Sequence, residues 1–182
     1  LLGKGYKTKV YTCSSSGSVN GNGQTGGLVG DMYHGRVINC NSDATVTLMD
    51  EYTGGLVGYN QYGDIRLSYA SGDVTGTSSV GGLTGDKYNN DNKGYIENCY
   101  STGTVTGTSK IGGLIGEQWY SYSYIINCYS VSTLGEGGST KGGLTGSCVN
   151  ALSYITASFF NTDIFASSAS GEGKSTAELK TS

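Results

Sequence analysis

The chain has 182 residues, 32 of them Gly, 15 Tyr, none Pro and one His, with 14% charged residues and a formal net charge of -3. This mildly acidic balance has no basic stripe and excludes nucleic acid as a natural partner. No apolar run approaches the ~20 residues of a membrane-spanning helix, so no membrane insertion is expected of this chain. Low charge with abundant Tyr, Thr and Val argues against disorder. Gly at this level without the three-residue collagen period points to repeated turns.

The repeat appears as soon as the chain is followed from its start. Gly-Gly-Leu-x-Gly recurs around Leu28, Leu56, Leu83, Leu114 and Leu144, at steps of 27–31 residues. Leu1 and Gly3 hold the places of Leu28 and Gly30, so the protein is expected to continue upstream. Between these motifs an aliphatic residue is followed three places later by Cys or Ser: Val10/Cys13, Val37/Cys40, Ile65/Ser68, Ile96/Cys99, Ile125/Cys128 and Ile155/Ser158. Six residues on comes another aliphatic: Val19, Val46, Val74, Val105, Leu134 and Ile164. Segments such as Thr45-Val46-Thr47 and Thr104-Val105-Thr106 alternate as half-buried strands do.

Short strands and glycine turns in such units predict an all-β, repeat-built parallel β-solenoid (β-helix) of about six coils. A β-prism or another repeat β architecture is the alternative. Coils spaced about 4.8 Å apart would make a rod roughly 25–30 Å long, with Leu, Ile and Val in continuous inward columns. The paired glycines are expected at a corner, where φ > 0 or close backbone approach excludes a Cβ. Residues 1–166 form the solenoid. Residues 167–182 read as a loop and a short helical turn leading to a further module, because Ser175-Thr176-Ala177-Glu178 has capping-box spacing.

Gly81-Gly82-Leu83-Thr84-Gly85, followed by Ile96-Glu97-Asn98-Cys99-Tyr100-Ser101-Thr102-Gly103-Thr104-Val105, resembles the GLUG motif. The resemblance runs from Leu1 to about Phe165, with Ser68 and Ser158 in place of Cys. GLUG repeats occur in large bacterial surface proteins, including adhesin-like proteins, and beside the catalytic domain of some immunoglobulin A metallopeptidases. The resemblance therefore implies a non-catalytic structural or adhesive module, secreted or at the cell surface. A polysaccharide-acting β-helix enzyme and the carbohydrate-binding module of an enzyme are the alternatives.

Catalytic constellations are sparse. His34 is the single histidine and sits without a nucleophile elbow, so a Ser-His-Asp triad and a His-based zinc site both fail. Asp50, Glu51, Asp64, Asp73, Asp86 and Asp91 read as solvated turn acids. A glycosidase would instead need two facing carboxylates at a groove. Asp86 to Asp91 lacks the calcium-loop pattern and reads as an Asn-rich turn. No metal or cofactor is expected.

Five cysteines suggest reduced, buried ladders, with Cys148 left without an evident partner. Tyr69, Tyr100, Tyr129 and Phe159 form a structural aromatic ladder. The functional lead is the variable segment after each glycine motif. It carries Tyr33, Tyr62, Tyr88, Trp119 and Tyr120 on one face, suited to a host or self glycan or a surface protein.

Overall fold

The computed structural model describes residues 1–90, 93–119, 122–149 and 154–181. The architecture is an all-β parallel solenoid. Its strands form five sheets, here called A to E in the order the chain visits them. One coil illustrates the course: Thr84–Tyr88 in sheet A, Gly94–Glu97 in B, Tyr100–Ser101 in C, Thr104–Thr106 in D and Ser109–Gly112 in E. Among the described residues there are five complete turns. A sixth is begun by Thr145–Val149, Tyr154–Thr156 and Phe159–Asn161.

Register is strict. Val10, Val37, Ile65, Ile96, Ile125 and Ile155 lie directly above one another in sheet B. Two separate cores result. The larger is enclosed by sheets A, B and C and holds the Leu28–Leu144 column, the sheet B aliphatics and the buried cysteines. The smaller lies between sheets D and E, around Val46, Val74, Val105, Val80 and Ile111.

The glycine motif builds the seam between these lobes. A Cβ on Gly54 would lie 1.9 Å from the Val57 carbonyl oxygen, and one on Gly82 would lie 2.1 Å from that of Gly113. The glycine pairs do not take positive φ. Close backbone approach alone therefore explains them. The third glycine of the motif has the same cause. A Cβ on Gly85 in sheet A would lie 2.5 Å from the Thr53 amide nitrogen, because sheet E folds back over sheet A.

The corner between sheets B and C explains the Asn-Cys pair. Asn39, Asn98 and Asn127 take φ of 55°, 53° and 52°, a left-handed conformation that Asn tolerates better than most residues. Thr12, Leu67 and Ala157 adopt it at the equivalent positions. The following Cys or Ser turns inward and completes the hydrogen bonding. Cys40 N donates to Ser68 Oγ at 3.1 Å and Cys128 N donates to Ser158 Oγ at 3.2 Å. Cys40, Cys99 and Cys128 are free and buried as expected, whereas Cys13 is exposed on the first coil. Cys148 also has a neighbour, since its thiol lies 3.6 Å from Gln118 Oε1.

At the far end Phe160 fills the core position held by Ala70, Ser101 and Ser130 in earlier coils. The segment around Ser168 covers Leu144 and Thr145, and Ser168 Oγ accepts from both amides. Glu172–Lys174 adds a seventh strand to sheet C. Helix α1, Thr176–Leu179, carries the full capping box. Ser175 Oγ accepts from Glu178 N, and Glu178 Oε2 accepts from Ser175 N at 2.8 Å.

Candidate functional site

The segment after each glycine motif is mostly strand rather than loop. Tyr33, Tyr88 and Trp119 are the last residues of sheet A strands and share one register column with Tyr6 and Gln61. Sheet pairing carries through these residues, which spacing alone could not reveal. Tyr62 follows Gln61 in a left-handed conformation, φ 56°, as His34 does after Tyr33, φ 52°. Tyr120 lies outside the described residues.

The column and the turn behind it interlock into an aromatic corner. Tyr6 stacks on Tyr33 at 5.5 Å, and His34 stacks on Tyr62 at 4.8 Å. Tyr62 meets Tyr33 and Tyr88 edge-on, each at 5.5 Å. The Lys110 ammonium sits 5.7 Å from the Trp119 ring centre. Tyr33, Tyr62, Tyr88 and Trp119 are each half-buried. Stacking takes up one ring face each of Tyr6, Tyr33, His34 and Tyr62.

Two further ladders run along the adjoining faces. In sheet C, Tyr69, Tyr100 and Tyr129 stack at 4.8 and 5.0 Å with planes within 5°. Phe159 continues the register, and Lys174 Nζ lies 3.8 Å from its ring centre. In sheet B, Tyr95, Tyr124 and Tyr154 stack at 4.9 Å. The expected structural ladder is thus present, together with a second one that sequence reading missed. Its signal was a Tyr directly before each of Ile96, Ile125 and Ile155.

One acidic column departs from the expectation of solvated turn acids. Asp86 lies opposite Glu117 in neighbouring strands of sheet A, and they are only 2% and 1% exposed. Both are covered by sheet E. Ser79 Oγ donates to Glu117 Oε2 at 2.8 Å, and Lys110 Nζ pairs with the same oxygen at 2.8 Å. Burial, reinforced by Glu117, pushes the Asp86 carboxyl well above the usual carboxylate range. Tyr52 stacks on Tyr59 beside it, and burial with the Asp86 charge pushes Tyr52 up to about 12.

On the other face of the same strand Lys87 is completely buried. Its Nζ donates to the Gly63 carbonyl at 2.6 Å and to Asn89 Oδ1 at 3.2 Å. Burial lowers it to about 7 against the opposing pull of Asp64 and Asp86.

A cavity of about 470 Å³ lies between sheet C and α1, lined by Tyr129, Val131, Phe159 and Leu179 among others. Neither Asp86 nor Glu117 lines it. The facing carboxylates that a glycosidase would need therefore exist here as a pair, but beneath a sheet rather than beside a groove.

Fold and corner together define a glycine-seamed, parallel β-solenoid of repeated coils. The GLUG motif family matches residues 50–75, so the chain carries a GLUG motif. Strand register repeats the coil containing it along the solenoid. No curated protein matches the sequence. Among solved structures the chain is similar to a putative immunoglobulin A1 protease from Bacteroides ovatus, with a TM-score of 0.63 and 22% identity. The match covers 94% of this chain and 67% of that one. At this identity the likeness shows the fold. No helix among the described residues is long and apolar enough to cross a membrane.

Proposed function

We propose that this chain is a non-catalytic structural module of a large secreted or cell-surface bacterial protein. In this reading the solenoid is a stiff spacer and its aromatic corner is a contact surface for a host glycan or surface protein. The observation that carries the reading is the unbroken parallel register of five sheets, which couples every coil to the next. A rod with that much lateral pairing suits holding other domains apart.

The half-buried corner of Tyr33, Tyr62, Tyr88 and Trp119 supplies aromatic edges and hydroxyls on one side of the rod. That favours hydrogen-bonded contact over flat stacking on a sugar ring, because stacking needs open ring faces and one face each of Tyr33 and Tyr62 is already taken. The likeness to a chain described as a putative immunoglobulin A1 protease fits a module carried beside a catalytic domain.

The test is a glycan-array, mucin and surface-protein binding screen of the purified chain beside Trp119→Ala and Tyr62→Ala. Binding that is lost in the variants while their thermal unfolding stays close to that of the parent supports a recognition corner. Binding by neither parent nor variants leaves the spacer alone and removes the recognition role.

A further inference from the structure

Asp86 and Glu117 leave a specific imbalance in the seam. Asp86 Oδ1 and Glu117 Oε1 are buried, and neither has a hydrogen-bond partner in the protein. Their residues are register partners on adjacent strands, so their Cβ atoms are about 5 Å apart and the side chains point the same way. As two carboxylates these oxygens can only accept, and burying unpaired acceptors is costly. One proton turns them into a donor and an acceptor and removes both deficits.

We propose that Asp86 and Glu117 hold a single proton between them as a hydrogen-bonded acid pair, and that this pair is a pH-sensitive fastener clamping sheet E onto sheet A. The division of labour follows from the contacts. Glu117 Oε2 already accepts from Ser79 and pairs with Lys110, both on sheet E, so Glu117 is the charged member. Asp86 carries the proton and gives it to Glu117 Oε1.

Two neighbouring acids support that assignment. The phenols of Tyr52 and Tyr59, pushed up by burial, stay neutral, while Glu117 on the next strand and Glu51 on sheet E oppose a second negative charge. Lys110 and Lys87 favour it, but Lys110 is already engaged by Glu117 and Lys87 lies on the opposite face of the strand. When Asp86 ionises, two anions face each other under Ser78–Gly81, the sheet E strand that packs on both acid-bearing strands, and that strand is pushed off the seam.

The pH direction is fixed. Asp86 holds its proton more tightly folded than unfolded. Its contribution to stability is greatest near and below the ordinary value of 3.8 and is lost as pH rises through the folded value.

Two measurements test the pair. In the wild-type chain, infrared spectroscopy should show a protonated-carboxyl C=O band that persists at pH values where free aspartate is ionised, and Asp86→Asn should lack it. Glu117→Gln should move the loss of that band to lower pH, because the neighbouring charge is gone. A band that Glu117→Gln leaves in place would assign the effect to burial alone and overturn the pair. Its absence from the wild type at every pH above the ordinary aspartate range overturns the proposal without any variant. Hydrogen exchange of Ser78–Gly81, corrected for its intrinsic pH dependence, should accelerate several-fold as the band disappears. Unchanged exchange would remove the fastening role.

Discussion

The larger core and the seam between sheets A and E sit back to back on the same strands, yet they are built by opposite means. The core stacks hydrocarbon, with Leu56, Leu83, Leu114 and Leu144 fully buried in one column. Each such side chain contributes roughly 1.5–3 kcal/mol, and the contact is tolerant of small shifts. The seam buries Asp86, Glu117 and Ser79 against backbone brought close by glycine. Polar groups there stabilise only when each finds its partner, and the backbone contact leaves no slack. The core therefore supplies cohesion along the rod, and the seam sets the geometry that closes each coil.

The comparison breaks most sharply at the seam. Gly82→Ala puts a Cβ 2.1 Å from the Gly113 carbonyl oxygen, with no flexible side chain able to yield. The expected loss is about 4 kcal/mol or more, read as a collapse of the denaturant midpoint or of soluble yield. Leu83→Ala in the core should cost about 3 kcal/mol, because neighbouring coils can close part of the cavity. If both substitutions cost the same, the seam is no stricter than the core.

A smaller effect separates the buried charges. Lys87 is lowered to about 7 in the folded chain from an ordinary 10.5. The folded state thus binds fewer protons than the unfolded state between those values, so stability rises with pH across that window. Below about 7 the penalty for burying the ammonium is fully present. Lys87→Met should flatten this alkaline rise. Melting temperatures from pH 6 to 10 would show it. Asp86→Asn should act chiefly on the decline that begins near 3.8. A shared change in both windows would mean that the two groups titrate as one unit.

The smallest effect concerns the sheet B to C corner. Leu67 holds a left-handed φ of 50° where other coils place Asn, and it is 58% exposed. Leu67→Asn should stabilise by about 0.5–1 kcal/mol by relieving the Cβ conflict and extending the ladder in which Asn127 Nδ2 donates to Asn98 Oδ1 at 3.2 Å. No gain in chemical denaturation would mean that the exposed leucine already finds compensating packing.

The repeat, the β class and the stacking of coils were legible because period and register are the same information. Val37 and Ile65 occupy equivalent sequence positions and become stacked neighbours. The capping box at Ser175 was legible because its hydrogen bonds span only three residues. The aromatic corner was legible in part. The sequence put Tyr33, Tyr88 and Trp119 on one face but assigned them to loops, since nothing local marks where sheet A pairing stops.

What the sequence determined by itself was the repeat. A glycine pair before each leucine and an Asn or its substitute before each Cys or Ser fix where a coil turns, because those conformations and close approaches are local demands on one or two residues. The tertiary structure alone decided that the chain folds back to make two cores instead of one, and that Asp86 and Glu117 lie buried at their boundary rather than in a solvated turn. Burial of those charges depends on sheet E of one coil covering sheet A of another, and a contact between segments far apart in the chain leaves no mark on the residues beside them.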